Sequence, residues 1–75
     1  MKTLLDLKPG DRAEVVRIHG RGPLKRRFQD MGLIKGSVFE VVKVAPLGDP
    51  VEIVIKGYNL TIRKEDGKDI EVKSI

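Results

Sequence analysis

The chain has 75 residues, no cysteine and a net charge of +4, and Lys, Arg, Asp and Glu make up 35% of it. This length fits one small domain, so residues 1–75 are predicted to form a single unit with a small core. The lack of cysteine excludes disulfides and thiolate metal sites. No apolar run approaches the roughly 20 residues of a membrane-spanning helix, and Asp6 comes too early for a signal peptide. We therefore expect a cytoplasmic protein without membrane insertion, or a domain that lies beside a part that is not soluble.

The first predicted elements are a strand at 11–19 and a short helix at 23–31. Apolar and polar residues alternate in the strand, and the alternation slips at Val15-Val16, which indicates a bulge. The helix begins at a proline, is followed by a glycine, and carries three apolar residues at helical spacing on one face. These three residues are Leu24, Phe28 and Met31.

The rest of the chain is dominated by the same alternation. It predicts strands at 37–45, 50–57, 59–63 and 69–73. A second slip occurs at Val41-Val42, Gly57-Tyr58-Asn59 predicts a tight hairpin connection, and Lys64–Lys68 predicts a polar turn. Five short strands and one helix favour a small, partly open barrel. Its predicted core is Leu7, Ala13, Ile18, Leu24, Phe28, Met31, Leu33, Phe39, Val41, Ile53, Ile55, Leu60, Ile62, Ile70 and Val72.

The segment 44–50 places an apolar residue between two prolines. Proline cannot donate to a strand ladder, so this segment is predicted to be a loop between two strands. Pro46 and Pro50 restrict its backbone, and Leu47 at the centre is predicted to be a docking tip for a partner protein or a second copy of this chain. The alternative is that Leu47 folds back over the open end of the barrel as a lid.

Four segments of the chain occur together in a characteristic order. They are Leu7-Lys8-Pro9-Gly10, the helix ending in Asp30-Met31-Gly32-Leu33, Pro46-Leu47-Gly48-Asp49-Pro50, and the final hairpin 57–63. In this order they resemble the FeoA family, small cytosolic accessory proteins of bacterial ferrous iron uptake, from about Leu4 to Val72. The resemblance implies a mostly β fold, a five-stranded SH3-like barrel with one short α-helix between the first two strands. It also implies binding to the cytosolic, GTP-hydrolysing part of the FeoB transporter.

Residues suited to catalysis are scarce. The chain has one histidine, no cysteine and few hydroxyl groups, and no arrangement of these indicates a nucleophile with its base. His19 is the candidate metal ligand, although a loop histidine with a partly solvated ring is the favoured interpretation. We therefore expect a non-enzymatic protein without a cofactor, with at most a weak association with ferrous iron or another divalent metal.

The positive charge is concentrated at one end of the sequence. Residues 1–27 contain eight Lys or Arg and three Asp or Glu, whereas the remainder contains seven and eight. Lys25, Arg26 and Arg27 lie opposite the apolar helix face, so all three are predicted to be exposed and to bind a partner. A solvated charged face is the simpler alternative.

Two other functions stay open. One is a nucleic-acid-associated or repressor-associated SH3-like domain, and the other is a direct transition-metal-binding module. Single-strand binding by small barrels normally adds aromatic stacking platforms, and this chain has three aromatic residues, of which two are assigned to the core. Nucleic acid is therefore the less favoured partner.

Overall fold

The computed structural model describes residues 2–20 and 22–75, without the side chain of Leu24. The elements are a 3₁₀ helix Leu4–Asp6, β1 Arg12–Ile18, α1 Pro23–Asp30, β2 Val38–Val44, β3 Val51–Ile55, β4 Tyr58–Ile62, α2 Lys64–Gly67 and β5 Ile70–Ser74. The five predicted strands and the predicted helix are all present. Among the described residues, no helix is both long and apolar enough to cross a membrane.

The five strands form one antiparallel sheet in the order β4-β3-β2-β1-β5. Strands β4 and β5 are its two edges and are not paired with each other, so the barrel is partly open, as predicted. The pairing register shifts between Val15 and Arg17 against β5, and between Val41 and Lys43 against β3. Both predicted bulges are therefore confirmed, and they let short strands curve around the core.

The connection between β3 and β4 is a two-residue hairpin turn. Lys56 has φ 50° and Gly57 has φ 83°, and positive φ at both central residues is characteristic of a type I′ turn. The predicted hairpin is confirmed, but its turn lies one residue earlier than the Gly57-Tyr58-Asn59 segment. Tyr58 is already the first residue of β4 and pairs with Ile55.

Among the described residues, fifteen apolar residues form the buried core, and three of them were not predicted. These three are Leu4, Val15 and Val51. Phe28 is only 5% exposed, so α1 is attached to the barrel by the predicted aromatic side chain. The predicted core residues Met31 and Leu60 are partly buried and pack at its margin. Leu24 was also predicted in the core, but its side chain lies outside the described part of the chain.

The predicted polar turn at Lys64–Lys68 is largely a short helix, α2. The helix packs against the 3₁₀ helix through buried Gly67. A Cβ atom on Gly67 would lie 3.1 Å from Cδ2 of Leu5 and 3.3 Å from Cδ2 of Leu4. Glycine therefore permits a close approach that a larger residue would disturb, although α2 carries no apolar side chain of its own.

Candidate partner-binding site

The loop between β2 and β3 is a tight turn with Leu47 at its tip. The N–H of Gly48 donates to the carbonyl oxygen of Ala45 at 2.7 Å, which closes a four-residue β-turn. Pro46 occupies the second position of this turn, where its fixed φ is suitable, and Leu47 the third. Leu47 is 91% exposed. The alternative in which Leu47 covers the barrel as a lid is therefore wrong.

The base of this loop is held by two hydrogen bonds. The N–H of Ala45 donates to the carbonyl oxygen of Pro50 at 3.1 Å, and Oδ1 of Asp49 accepts from the N–H of Lys64 at 2.9 Å. The second bond joins the loop to the first residue of α2, where helical N–H groups lack intrahelical partners. Pro46 is exposed, and Pro50 is half-buried after a cis peptide bond. The loop is thus fixed on both sides of its apolar tip.

The contribution of Asp49 to this loop was not predicted. Asp49 and Lys64 are 15 positions apart, and the bond depends on the sheet bringing the β2–β3 loop beside the end of β4. The aspartate between a glycine and a proline indicated a turn but gave no indication of a partner on α2.

Helix α1 presents two of its three basic residues to solvent. Arg26 and Arg27 are exposed as predicted, but Lys25 is half-buried, so its predicted full exposure is wrong. Lys25 lines a small cavity of about 60 Å³ together with Phe28, His19 and other residues. Residues three apart are neighbours on a helix, so the aliphatic part of Lys25 lies along the margin of the buried face that Phe28 defines.

The Leu47 turn and the basic face of α1 are two surfaces. Across residues 2–20 and 22–75, no side-chain hydrogen bond or ion pair joins loop 45–50 to α1. The predicted partner-binding residues therefore do not form one bonded cluster.

His19 lies at the end of β1 and contacts β5. Its ring Nε2 lies 2.9 Å from Oε1 of Glu71. The backbone N–H of His19 donates to the carbonyl oxygen of Asp69 at 2.7 Å. Both side chains of the pair are half-buried. Within the described residues there is no group of three or more His, Cys, Asp or Glu with the arrangement of a metal site. Zinc sites in proteins use three or four protein ligands, so the His19–Glu71 pair alone does not fit one.

Comparison with known proteins identifies the family of this chain. Residues 2–74 match the FeoA domain. The chain belongs to the FeoA family. The predicted resemblance is thereby confirmed, and it covers nearly the whole chain.

One relative carries a FeoA segment within a much longer protein. The Fe(2+) transport protein A/Fe(2+) transporter FeoB fusion protein of Porphyromonas gingivalis is 44% identical over 72 residues. The match covers 96% of this chain but 8% of that protein, so the chain corresponds to a small part of the relative.

Two solved structures show the same fold. FeoA from Chlorobium tepidum has a TM-score of 0.92 at 39% identity, and the match covers 99% of this chain and 70% of that chain. FeoA from Stenotrophomonas maltophilia, described as an SH3 domain protein complexed with zinc, has a TM-score of 0.75 at 24% identity, covering 97% and 91%. The second likeness supports the fold alone, and the predicted SH3-like barrel is confirmed.

Proposed function

We propose that this FeoA-family chain is a non-enzymatic accessory or regulatory protein of ferrous iron uptake, acting by contact with the cytosolic part of a FeoB-like transporter. One observation carries the proposal: in the Porphyromonas gingivalis relative, a segment similar to this chain is joined to FeoB in one polypeptide. Fusion gives two domains a high effective concentration for each other, which favours a contact between them.

The Leu47 turn is the proposed anchor of this contact. A side chain that is 91% exposed buries much apolar surface when a partner covers it. The closed turn and the Asp49–Lys64 bond already order the backbone, so binding loses less conformational entropy than it would with a flexible loop. An exposed apolar side chain on an ordered backbone is therefore suited to fill a pocket on the partner.

The exposed guanidinium groups of Arg26 and Arg27 are proposed to guide the encounter. Both residues are exposed on α1, and long-range charge mainly raises the association rate with an acidic partner. Lys25 is partly withdrawn beside Phe28, so its share in this effect is smaller.

The hydroxyl and imidazole groups agree with a role without catalysis. The hydroxyl of Ser37 donates to the carbonyl oxygen of Gly32 and accepts from the N–H of Ile34, and Oγ1 of Thr3 accepts from the N–H of Leu5. His19 pairs with Glu71 rather than with a hydroxyl group. Ferrous iron is the cargo of the transport process in this proposal, and no step requires a metal bound to this chain.

The first experiment compares Leu47→Ala with Val42→Ala, which shortens another exposed apolar residue. Binding to the purified cytosolic domain of FeoB from the same organism is measured by calorimetry. Leu47→Ala should raise Kd about tenfold, equivalent to about 1.4 kcal/mol, while the melting temperature stays close to that of the wild type. Val42→Ala should leave Kd within about twofold. Equal Kd values for both variants would exclude the turn from the contact.

The second experiment reverses two charges with Arg26→Glu/Arg27→Glu. The association rate with the same FeoB domain should fall roughly tenfold at low salt and recover towards the wild-type value as salt increases. The control Lys43→Glu/Lys73→Glu changes the net charge by the same amount at exposed positions on strands β2 and β5. If both double variants slow association to the same degree, net charge and not the α1 face is responsible.

A further inference from the structure

The outer edge of β4 exposes unpaired backbone groups. The type I′ turn bonds Ile55 to Tyr58, and bonded pairs alternate along an antiparallel ladder, so Leu60 and Ile62 also direct their backbone groups towards β3. Asn59 and Thr61 direct theirs away from the sheet. Within residues 2–20 and 22–75, no backbone hydrogen bond reaches either residue on this side.

A groove runs along this edge, between β4 and helix α1. Its volume is about 360 Å³. Met31 and Leu60 contribute apolar surface at the margin of the core, and Thr61 belongs to the exposed edge itself. The open edge is therefore adjacent to a partly apolar depression, so an added strand would find side-chain contacts on one face in addition to backbone hydrogen bonds.

Positive charge exceeds negative charge among the described residues that line the groove. Arg27 on α1 and Arg63 after β4 are both exposed and line it, and Asp66 is the one carboxylate among its lining residues. At the end of α1, a methyl group on Gly32 would lie 3.5 Å from Nζ of Lys56 and 3.5 Å from the hydroxyl of Tyr58. A cation and a hydroxyl group thus lie near the end of the helix that forms one wall of the groove.

We propose that the β4 edge binds an extended acidic peptide segment of another protein, which adds to the sheet as a sixth strand. An edge strand offers N–H donors and carbonyl acceptors alternately, and a peptide backbone matches both, whereas the phosphates of a nucleic acid only accept. Successive side chains of a strand point to opposite faces, so apolar side chains on the groove side contact Met31 and Leu60. The acidic side chains between them lie within electrostatic range of the long, exposed side chains of Arg27, Arg63 and Lys56. This site is distinct from the Leu47 turn. It shares Arg27 with the α1 face proposed to guide FeoB, but it does not depend on that contact.

The test uses the full chain and a capped synthetic peptide of about twelve residues that alternates valine and glutamate. Amide exchange and NMR shifts are recorded for the labelled protein with and without peptide. Binding should shift the amides of β4 and slow exchange at Asn59 and Thr61 by roughly tenfold or more. The same peptide with lysine in place of glutamate, and one with alternate N-methylated amides, should bind at least about tenfold more weakly.

Two variants address the two parts of the proposal. Thr61→Pro removes one outward N–H at an edge position, where proline is tolerated, and should abolish the added protection at Asn59. Arg63→Glu keeps the backbone and should raise Kd about tenfold, whereas Lys43→Glu should change it by less than about twofold. Arg63→Glu keeps the proposal testable if Thr61→Pro does not fold.

Several results would overturn this proposal. Absence of binding by the acidic peptide is one, and binding without protection of Asn59 and Thr61 is another. Equal binding of the acidic and basic peptides would exclude the charge argument. Concentration-dependent protection without peptide would assign the edge to a second copy of this chain, and equal protection by an oligothymidine would assign it to nucleic acid.

Discussion

The two edge strands of the sheet, β4 and β5, are treated differently by the rest of the chain. The edge of β5 is covered by the N-terminal segment: Thr3 forms an isolated bridge with Glu71, and the N–H of Val72 donates to the carbonyl oxygen of Lys2 at 2.8 Å. The edge of β4 has no equivalent backbone cover from residues 2–20 and 22–75. The comparison shows that one edge is closed by the chain itself while the other is left available.

The cover on β5 is held by the 3₁₀ helix that follows it. Leu4 is 1% exposed and belongs to the core. Oγ1 of Thr3 accepts from the N–H of Leu5 at 3.3 Å, and Oδ2 of Asp6 accepts from the N–H of Thr3 at 2.8 Å, which together form a capping box. A buried anchor and a local hydrogen-bond pair thus order the segment that covers β5.

The β4 edge is protected by its composition instead. It is five residues long, its outward backbone belongs to exposed Asn59 and Thr61, and Lys56 and Arg63 lie close to its two ends. Short edges with polar and charged residues resist indiscriminate pairing with other strands. The two cationic residues do not repel an acidic partner, so the edge is selective for a partner of that charge.

Among changes that alter one edge and not the other, Leu4→Ala is expected to have the largest effect. Truncating a fully buried leucine lowers the free energy of unfolding by about 2–5 kcal/mol, and here the lost contacts anchor the cover on β5. Chemical denaturation should show this loss, and the amide of Val72 should exchange faster relative to the other β5 amides. Leu5→Ala, at a half-buried neighbour, should cost less. An unchanged relative exchange rate at Val72 would show that the cover does not depend on Leu4.

The smallest expected effect is the difference between removing a threonine hydroxyl from the cover on β5 and removing one from the β4 edge. Thr3→Ala removes a capping hydroxyl and should cost about 1 kcal/mol of unfolding free energy. Thr61→Ala, on the exposed edge of β4, should cost less than about 0.5 kcal/mol. Thermal and urea unfolding of both variants measure the difference. A larger loss for Thr61→Ala would mean that the β4 edge is stabilised by contacts of its own.

The barrel was largely predictable because its signals are local. Alternation defined all five strands, and the phase slips at Val15-Val16 and Val41-Val42 indicated both bulges. The 3₁₀ helix and α2 were not predicted, because each has at most four residues and neither shows an amphipathic period. The two helices pack against each other where Gly67 meets Leu4 and Leu5, a contact that only the tertiary fold brings about.

The candidate site was predictable in part for the same reason. The prolines around Leu47 indicated a turn with an exposed apolar tip. The hydrogen bond from Lys64 to Asp49 at the base of the loop was not predictable, because Lys64 lies far along the sequence. Lys25 was predicted to be exposed from helical periodicity alone. It is half-buried because β1 and the residues after β4 lie close to it around a small cavity, and periodicity gives no information on these neighbours. The open β4 edge could not be predicted, since strand order is not encoded in alternation.

The cover on β5 also determines how this domain can be joined to a longer polypeptide. The ammonium group of Lys2 donates to the hydroxyl of Ser74, so residues near the two ends of the described chain lie side by side. Adjacent ends allow a domain to be inserted, permuted or attached through either end with little change to its interior. A linker at either end would begin beside β5. Its length would therefore determine which orientations β4 and the Leu47 turn can take relative to the joined domain.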